Sequence, residues 1–142
     1  MKKLISVSVF MLFVISLMTS AAENKPAKQV KAVVASATKV EVYYFHYSRR
    51  CETCQAVESE SKSAIATLYP SQYKKGQITF KSVNLDEKTS DAVAKKCKAE
   101  GQALLVIGGS KRTDLTDKGF IYARSSPEKL RAELKKTIDP LL

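Results

Sequence analysis

The stretch VYYFHYSRRCETCQAV, residues 42–57, passes from one periodicity to another within a few residues. Up to its middle it is β-branched and aromatic. Val40, Val42, Tyr44 and His46 alternate with Glu41, Tyr43, Phe45 and Tyr47, with apolar character on both faces. That pattern suits a strand inside a sheet covered on both sides. Beyond it, Cys54, Val57, Ser61, Ala64, Ile65 and Leu68 recur at spacings of three and four, while Glu58, Glu60, Lys62 and Ser63 take the other face. This second pattern predicts an amphipathic helix, which Pro70 ends. At the junction stand two of the chain's three cysteines, Cys51 and Cys54. A redox pair, a static disulfide across one turn and half of a metal site all fit that spacing.

The junction itself favours chemistry. With Cys51 capping the helix and Cys54 at its third position, unpaired backbone N–H groups and the positive end of the helix dipole surround the Cys51 sulfur. Both favour the thiolate, the reactive form of cysteine. Arg49 and Arg50 act in the same direction and Glu52 opposes them. Cys54, on the inner side of the helix, is expected to be less accessible and to resolve the mixed disulfide that Cys51 forms. A disulfide across one turn restrains little chain and so stabilises little.

The remaining candidates are weaker. Cys97 follows Val93 by four and is expected to pack inward as a small hydrophobe. His46, the only histidine, lies on the strand leading to the pair. His46, Cys51, Cys54 and Cys97 together would suit Cu(I) or Zn, so a soft-metal carrier is the alternative reading. No other cofactor is called for.

The chain has 142 residues, enough for one ordinary domain, and 44% hydrophobic with 27% charged residues suits a folded protein. Its start reads differently. Lys2 and Lys3 precede an apolar run over residues 4–18 broken only by serines, and Ser20, Ala21 and Ala22 follow. A positive start, a short apolar core and small residues make a secretory signal. The run is shorter than the ~20 residues of a spanning helix, so cleavage is favoured over an uncleaved anchor. Residues 1–22 are expected to be the signal, 23–38 a linker rich in Ala, Lys and Val, and 39–142 the domain. Export into a periplasm or envelope puts the cysteines where thiols meet oxidants. The formal net charge is +10, but the lysines are scattered and an exported chain rarely meets nucleic acid. No nucleic-acid partner is therefore expected. A solvated surface, or an acidic envelope surface or partner, suits that charge better.

Further along, Gly76 turns the chain into a second strand over residues 78–85, and Ser90 is placed to cap a short helix over 91–99 that Gly101 stops. The run ALLVI, residues 103–107, reads as a buried strand, and residues 108–111, GGSK, as a hairpin turn. The return path through Leu115 reads as a strand, whereas residues 119–124 fit a strand or a helical turn. Ser126, Pro127 and Glu128 start a last helix whose inner stripe is Leu130, Leu134 and Ile138. The order β, α, β, α, β, hairpin partner, α gives an α/β fold. Both early βαβ steps imply parallel neighbours, and the hairpin adds an antiparallel edge to a central mixed sheet flanked by helices.

The order of elements, the CxxC at the start of the first helix, VNLDE closing the next strand and AEGQALLVI entering the third resemble the thioredoxin superfamily over residues 39–142. The resemblance implies a thioredoxin-like fold and dithiol–disulfide exchange, with Cys51 as the attacking and Cys54 as the resolving cysteine. The lead-in HYSRRC and the segment YARSSPE are similar to small bacterial thioredoxin-like proteins, the ArsF-type subunits of nitrophenyl-compound nitroreductase systems. That implies a monomeric oxidoreductase, or subunit of a reductase system, with a thiol or disulfide partner such as a membrane or envelope redox enzyme. Two positions depart from the thioredoxin pattern. Ala103 stands where the superfamily has a cis-proline, and Arg50 where it has a tryptophan. Both departures favour a dedicated partner over a broad substrate range.

Overall fold

A computed structural model describes residues 39–142. The signal and linker expected over residues 1–22 and 23–38 lie outside the described residues. The domain runs through β1 (Val40–His46), α1 (Glu52–Leu68), α2 (Pro70–Lys74), β2 (Ile78–Asn84), a 3-10 turn (Lys88–Ser90), α3 (Asp91–Cys97), β3 (Ala103–Gly108), β4 (Lys111–Asp114), α4 (Thr116–Tyr122), α5 (Pro127–Ile138) and a closing 3-10 turn (Asp139–Leu141). The strands form one sheet in the order β2-β1-β3-β4.

β1 is interior, as its two apolar faces require. It pairs in parallel with β2, with Tyr44 opposite Ser82 and His46 opposite Asn84. On its other side β3 runs antiparallel, with Phe45 opposite Ala103 and Val42 opposite Val106. β4 closes the far edge antiparallel to β3. Only the first βαβ step therefore gives a parallel pair. The second brings the chain back across β1 in the opposite sense, so β3 is not a neighbour of β2. The architecture is a mixed sheet flanked by helices, compatible with a thioredoxin-like fold.

The alternation along β1 divides its side chains between two cores. Val40, Val42 and Tyr44 pack with Val57, Ala64 and Ile65 of α1, Leu104 and Val106 of β3, and the Leu130, Leu134 and Ile138 stripe of α5. Tyr43 and Phe45 point the other way, against Leu105, Ala103 and Cys97. Each large apolar side chain so buried contributes about 1.5–3 kcal/mol relative to exposure. β1 carries both layers, which fixes its end as the rigid platform from which α1 departs. Among the described residues no helix is long and apolar enough to cross a membrane.

Local chemistry explains the other differences from the sequence-based expectation. Pro70 ends α1 but also opens α2, because a proline at the first helical position has no intrahelical N–H to lose. α3 stops at Cys97, where Lys98 adopts a left-handed conformation with φ 53°, ahead of the expected stop at Gly101. Ser90 and Ser126 stand at helix starts without making a side-chain cap. The Ser90 hydroxyl instead donates back to the Glu87 carbonyl at 2.7 Å. Gly108 is the last residue of β3 and Lys111 the first of β4, so the turn proper is Gly109–Ser110, with Gly109 at φ 59°. Leu115 ends the return path and begins α4. Residues 119–122 are helical, and Gly119 is there for proximity. A Cβ at Gly119 would lie 3.1 Å from Val57 Cγ1 and 3.3 Å from Leu104 Cδ2, so α4 presses directly on α1 and β3.

Candidate functional site

The site begins where β1 runs out. After His46 the chain turns through residues 47–50 and enters α1 with Cys51 as its N-cap, in extended backbone at φ −78° and ψ 165°. Asn84, the last residue of β2, and Asp86 just beyond it pin this turn. Asp86 accepts from the Ser48 backbone N–H at 2.7 Å, and the Asn84 side-chain amide donates to the Ser48 hydroxyl at 2.9 Å. The backbone and side-chain hydrogen bonds from Ser48 hold the Asp86 carboxyl below its ordinary range. The VNLDE stretch thus does more than close a strand: it fixes the approach to the cysteines.

Cys51 and Cys54 form a disulfide with Cα atoms 5.1 Å apart. The Cys54 backbone N–H donates to Cys51 Sγ at 3.2 Å, and the Cys51 N–H donates to Cys54 Sγ at 3.3 Å. This is a capping box with sulfur in place of the usual hydroxyl and carboxylate. Neutral sulfur is a weak acceptor, so the bond from the Cys54 N–H gains most when Cys51 carries charge. The two cysteines differ in access: Cys51 is exposed, while Cys54 is only 5% exposed on the inner side of the helix. A partner arriving from solvent reaches Cys51.

Arg49 is exposed beside the turn. Arg50 donates to the Glu58 carboxylate, both side chains being about one-quarter exposed (27% and 25%). Glu58 and Glu60 are both half-buried, whereas Lys62 is exposed. Burial disfavours the Glu58 charge, but hydrogen bonds from Ser82 and Arg50, with the Arg50 charge, outweigh burial and hold the carboxyl below its ordinary range. Glu52, the acid next to Cys51, is met by Arg124 at 3.0 Å. Arg124 belongs to the YARSSPE segment, and only the fold brings it to the first turn of α1.

His46 is committed to local bonds. Its Nδ1 lies 2.9 Å from the Tyr47 carbonyl oxygen, which only accepts, and its Nε2 lies 2.9 Å from the Ser82 hydroxyl. Nδ1 therefore carries a proton toward that carbonyl, and Nε2 shares its hydrogen bond with the Ser82 hydroxyl. Tyr44 stacks on the His46 ring at 5.8 Å. Burial foremost raises the Tyr44 phenol to about 12, and its buried hydroxyl has no hydrogen-bond partner among the described residues. Cys97 lies in the opposite core, beyond the sheet, where burial pushes its thiol up. His46, Cys97 and the CxxC are therefore not gathered together. Among the described residues no three His, Cys, Asp or Glu side chains are grouped to hold a metal.

Ala103 is 7% exposed at the start of β3, opposite Phe45 and so at the CxxC end of the sheet. The next residue ties this edge to α4: the Leu104 N–H donates to Thr116 Oγ1 at 3.0 Å, and the Leu115 N–H donates to the Leu104 carbonyl at 2.8 Å. Beyond Ala103 opens a cleft of about 620 Å³ lined by Lys98, Gly101, Arg112, Thr116 and Lys118 among others. The fold and site together define an α/β domain that presents a CxxC disulfide at a helix N-terminus, with one sulfur facing solvent and one withheld.

No family model matches the chain, and no curated protein matches it. Among solved structures, one described as "Structure of a malarial protein" is similar, at 20% identity and a TM-score of 0.44, covering 69% of this chain and 96% of that one. A likeness at that level carries no argument for this chain.

Proposed function

We infer that the chain is an exported thiol–disulfide exchange protein of the thioredoxin superfamily, acting on one or few partner proteins. The observation that carries this reading is the asymmetry of the pair, with Cys51 exposed at the helix N-cap and Cys54 buried behind it. In the reduced protein the Cys51 thiolate attacks one sulfur of a partner disulfide. A Cys51–partner bond forms and the other partner sulfur leaves as a thiolate. Cys54, deprotonated, then attacks Cys51 Sγ, restores the intramolecular disulfide and releases the second partner thiolate. Two electrons pass to the partner, whose thiolates take up protons from water, and the same steps reversed oxidise a partner dithiol. Exchange rates depend on the thiolate fraction of the attacking sulfur and on access to it.

The signal-like residues 1–22 support an extracytoplasmic setting, and the ArsF-type resemblance supports a reductase of the envelope as the partner. Replacing Cys54 by serine removes the resolving sulfur, so a mixed disulfide at Cys51 should accumulate with partners in envelope extracts and with glutathione disulfide in vitro. Mass spectrometry would read the adduct. Equal trapping by a Cys51→Ser variant, or none by Cys54→Ser, would overturn the reading.

A further inference from the structure

Resting on the thiol–disulfide reading above, we propose that α4 forms the docking surface for the partner, and that the partner's reactive cysteine lies in an acidic segment with an apolar residue nearby. Ile121 is 60% exposed, more so than any other large hydrophobic among the described residues. Its position gives that exposure meaning. Lys118, Ile121 and Arg124 follow one another at spacings of three, which places them along one face of α4 and its last turn. The stripe ends at the cysteines, because Arg124 reaches Glu52, the residue that follows Cys51. α4 cannot drift from this position, since Gly119 lets it press on Val57 of α1 and Thr116 anchors it to β3.

Two lysines flank the Ile121 face, with Asp117, exposed one turn before Ile121 in α4, the acid beside them. Lys118 from α4 and Lys129 from α5 both stand over the Tyr122 ring, each 5.7 Å from its centroid. Neither has a carboxylate within ion-pair distance among the described residues, while Arg124 neutralises the Glu52 charge beside the sulfur. Arg49 lies exposed on the turn that enters α1 from the other side. An apolar knob between lysines, leading to an exposed sulfur, is complementary to an acidic segment that offers its own apolar residue. Without Lys2 and Lys3 of the signal the formal net charge falls from +10 to +8, which steers such a partner in the same direction.

The test uses reduced protein and synthetic peptides whose single cysteine is blocked as a mixed disulfide with a chromophoric thiol, flanked by a leucine and by aspartates, serines or lysines. At low salt the aspartate peptide should release its chromophore about tenfold faster than the lysine peptide, and the ratio should collapse at high salt. Lys118→Glu should remove most of that preference, and Ile121→Ser should slow the leucine peptides relative to alanine counterparts. Both variants should alkylate at Cys51 with neutral iodoacetamide as the parent does, which separates docking from thiol reactivity. Equal rates for the acidic and basic peptides, or an unchanged preference in Lys118→Glu, would overturn the docking proposal alone. Failure to react with any peptide would overturn the exchange reading together with it.

Discussion

Arg124 Nη2 lies 3.0 Å from Glu52 Oε2, so a residue distant in the chain compensates the acidic side chain that follows Cys51. Both side chains are well exposed, so solvent screens the pair and its effect is small. Its sign is nonetheless defined. Removing the guanidinium in Arg124→Ala leaves Glu52 uncompensated and should make the reduced Cys51 thiol slightly harder to ionise. Glu52→Gln should make it easier to ionise by a similar amount, and the double variant should restore near-parental behaviour. Thiolate absorbance as a function of pH, read in the reduced protein, measures all three.

The Arg50–Glu58 pair makes stability depend on acid. The folded carboxyl of Glu58 titrates below its ordinary value of 4.5, despite burial, because Ser82 and Arg50 hold its charged form. A depressed carboxylate contributes stability that is fully present above that ordinary value and is lost as pH falls through the folded value. Glu41, Asp86 and Asp139 are displaced in the same direction, so the thermal midpoint should fall steadily below pH 4.5. Glu58→Gln should cost about 1 kcal/mol at neutral pH and make that fall shallower. Melting curves from pH 6 to pH 2.5 test it, and an unchanged acid slope in the variant would remove Glu58 from the account.

Gly119 sets the distance between α4 and the cysteine-bearing helix. The closest atoms a Cβ would meet there, Val57 Cγ1 and Leu104 Cδ2, belong to fully buried side chains. Gly119→Leu gains about 1 kcal/mol of helix propensity but overpacks the contact, at a cost of about 1–3 kcal/mol or more. A net fall in stability is expected, with a lower denaturant midpoint. Separation of α4 from α1 should also weaken the Arg124–Glu52 contact, visible as a Cys51 titration resembling that of Arg124→Ala.

Those features that depend on short-range pattern were legible in the sequence. The alternation before His46, the three-and-four spacing after Cys51 and the Leu130, Leu134, Ile138 stripe each correspond to an observed element. The role of Cys51 as N-cap and Cys54 as third helical residue also follows from position alone. What depends on chain direction and distant approach was not legible. Nothing local to residues 85–102 specifies that β3 returns antiparallel to β1. Residues 119–124 fit a strand or a helical turn until Val57 is seen beneath Gly119. Charge pairings were hidden for the same reason: Arg50 is next to Cys51 in sequence and pairs with Glu58, and Arg124 is remote in sequence but pairs with Glu52. Asn84 and Asp86 gave one usable signal, since polar residues ending a strand beside a reactive turn are placed to hold it.

The central claim is that the N–H groups opening α1 stabilise a Cys51 thiolate. Iodoacetamide labelling of the reduced protein across pH 5–9, with the Cys51 peptide followed by mass spectrometry, tests it most directly. The account predicts a half-maximal rate clearly below the pH of about 8.5 at which a free cysteine is half ionised. A midpoint equal to that of cysteine in an unstructured peptide would contradict it.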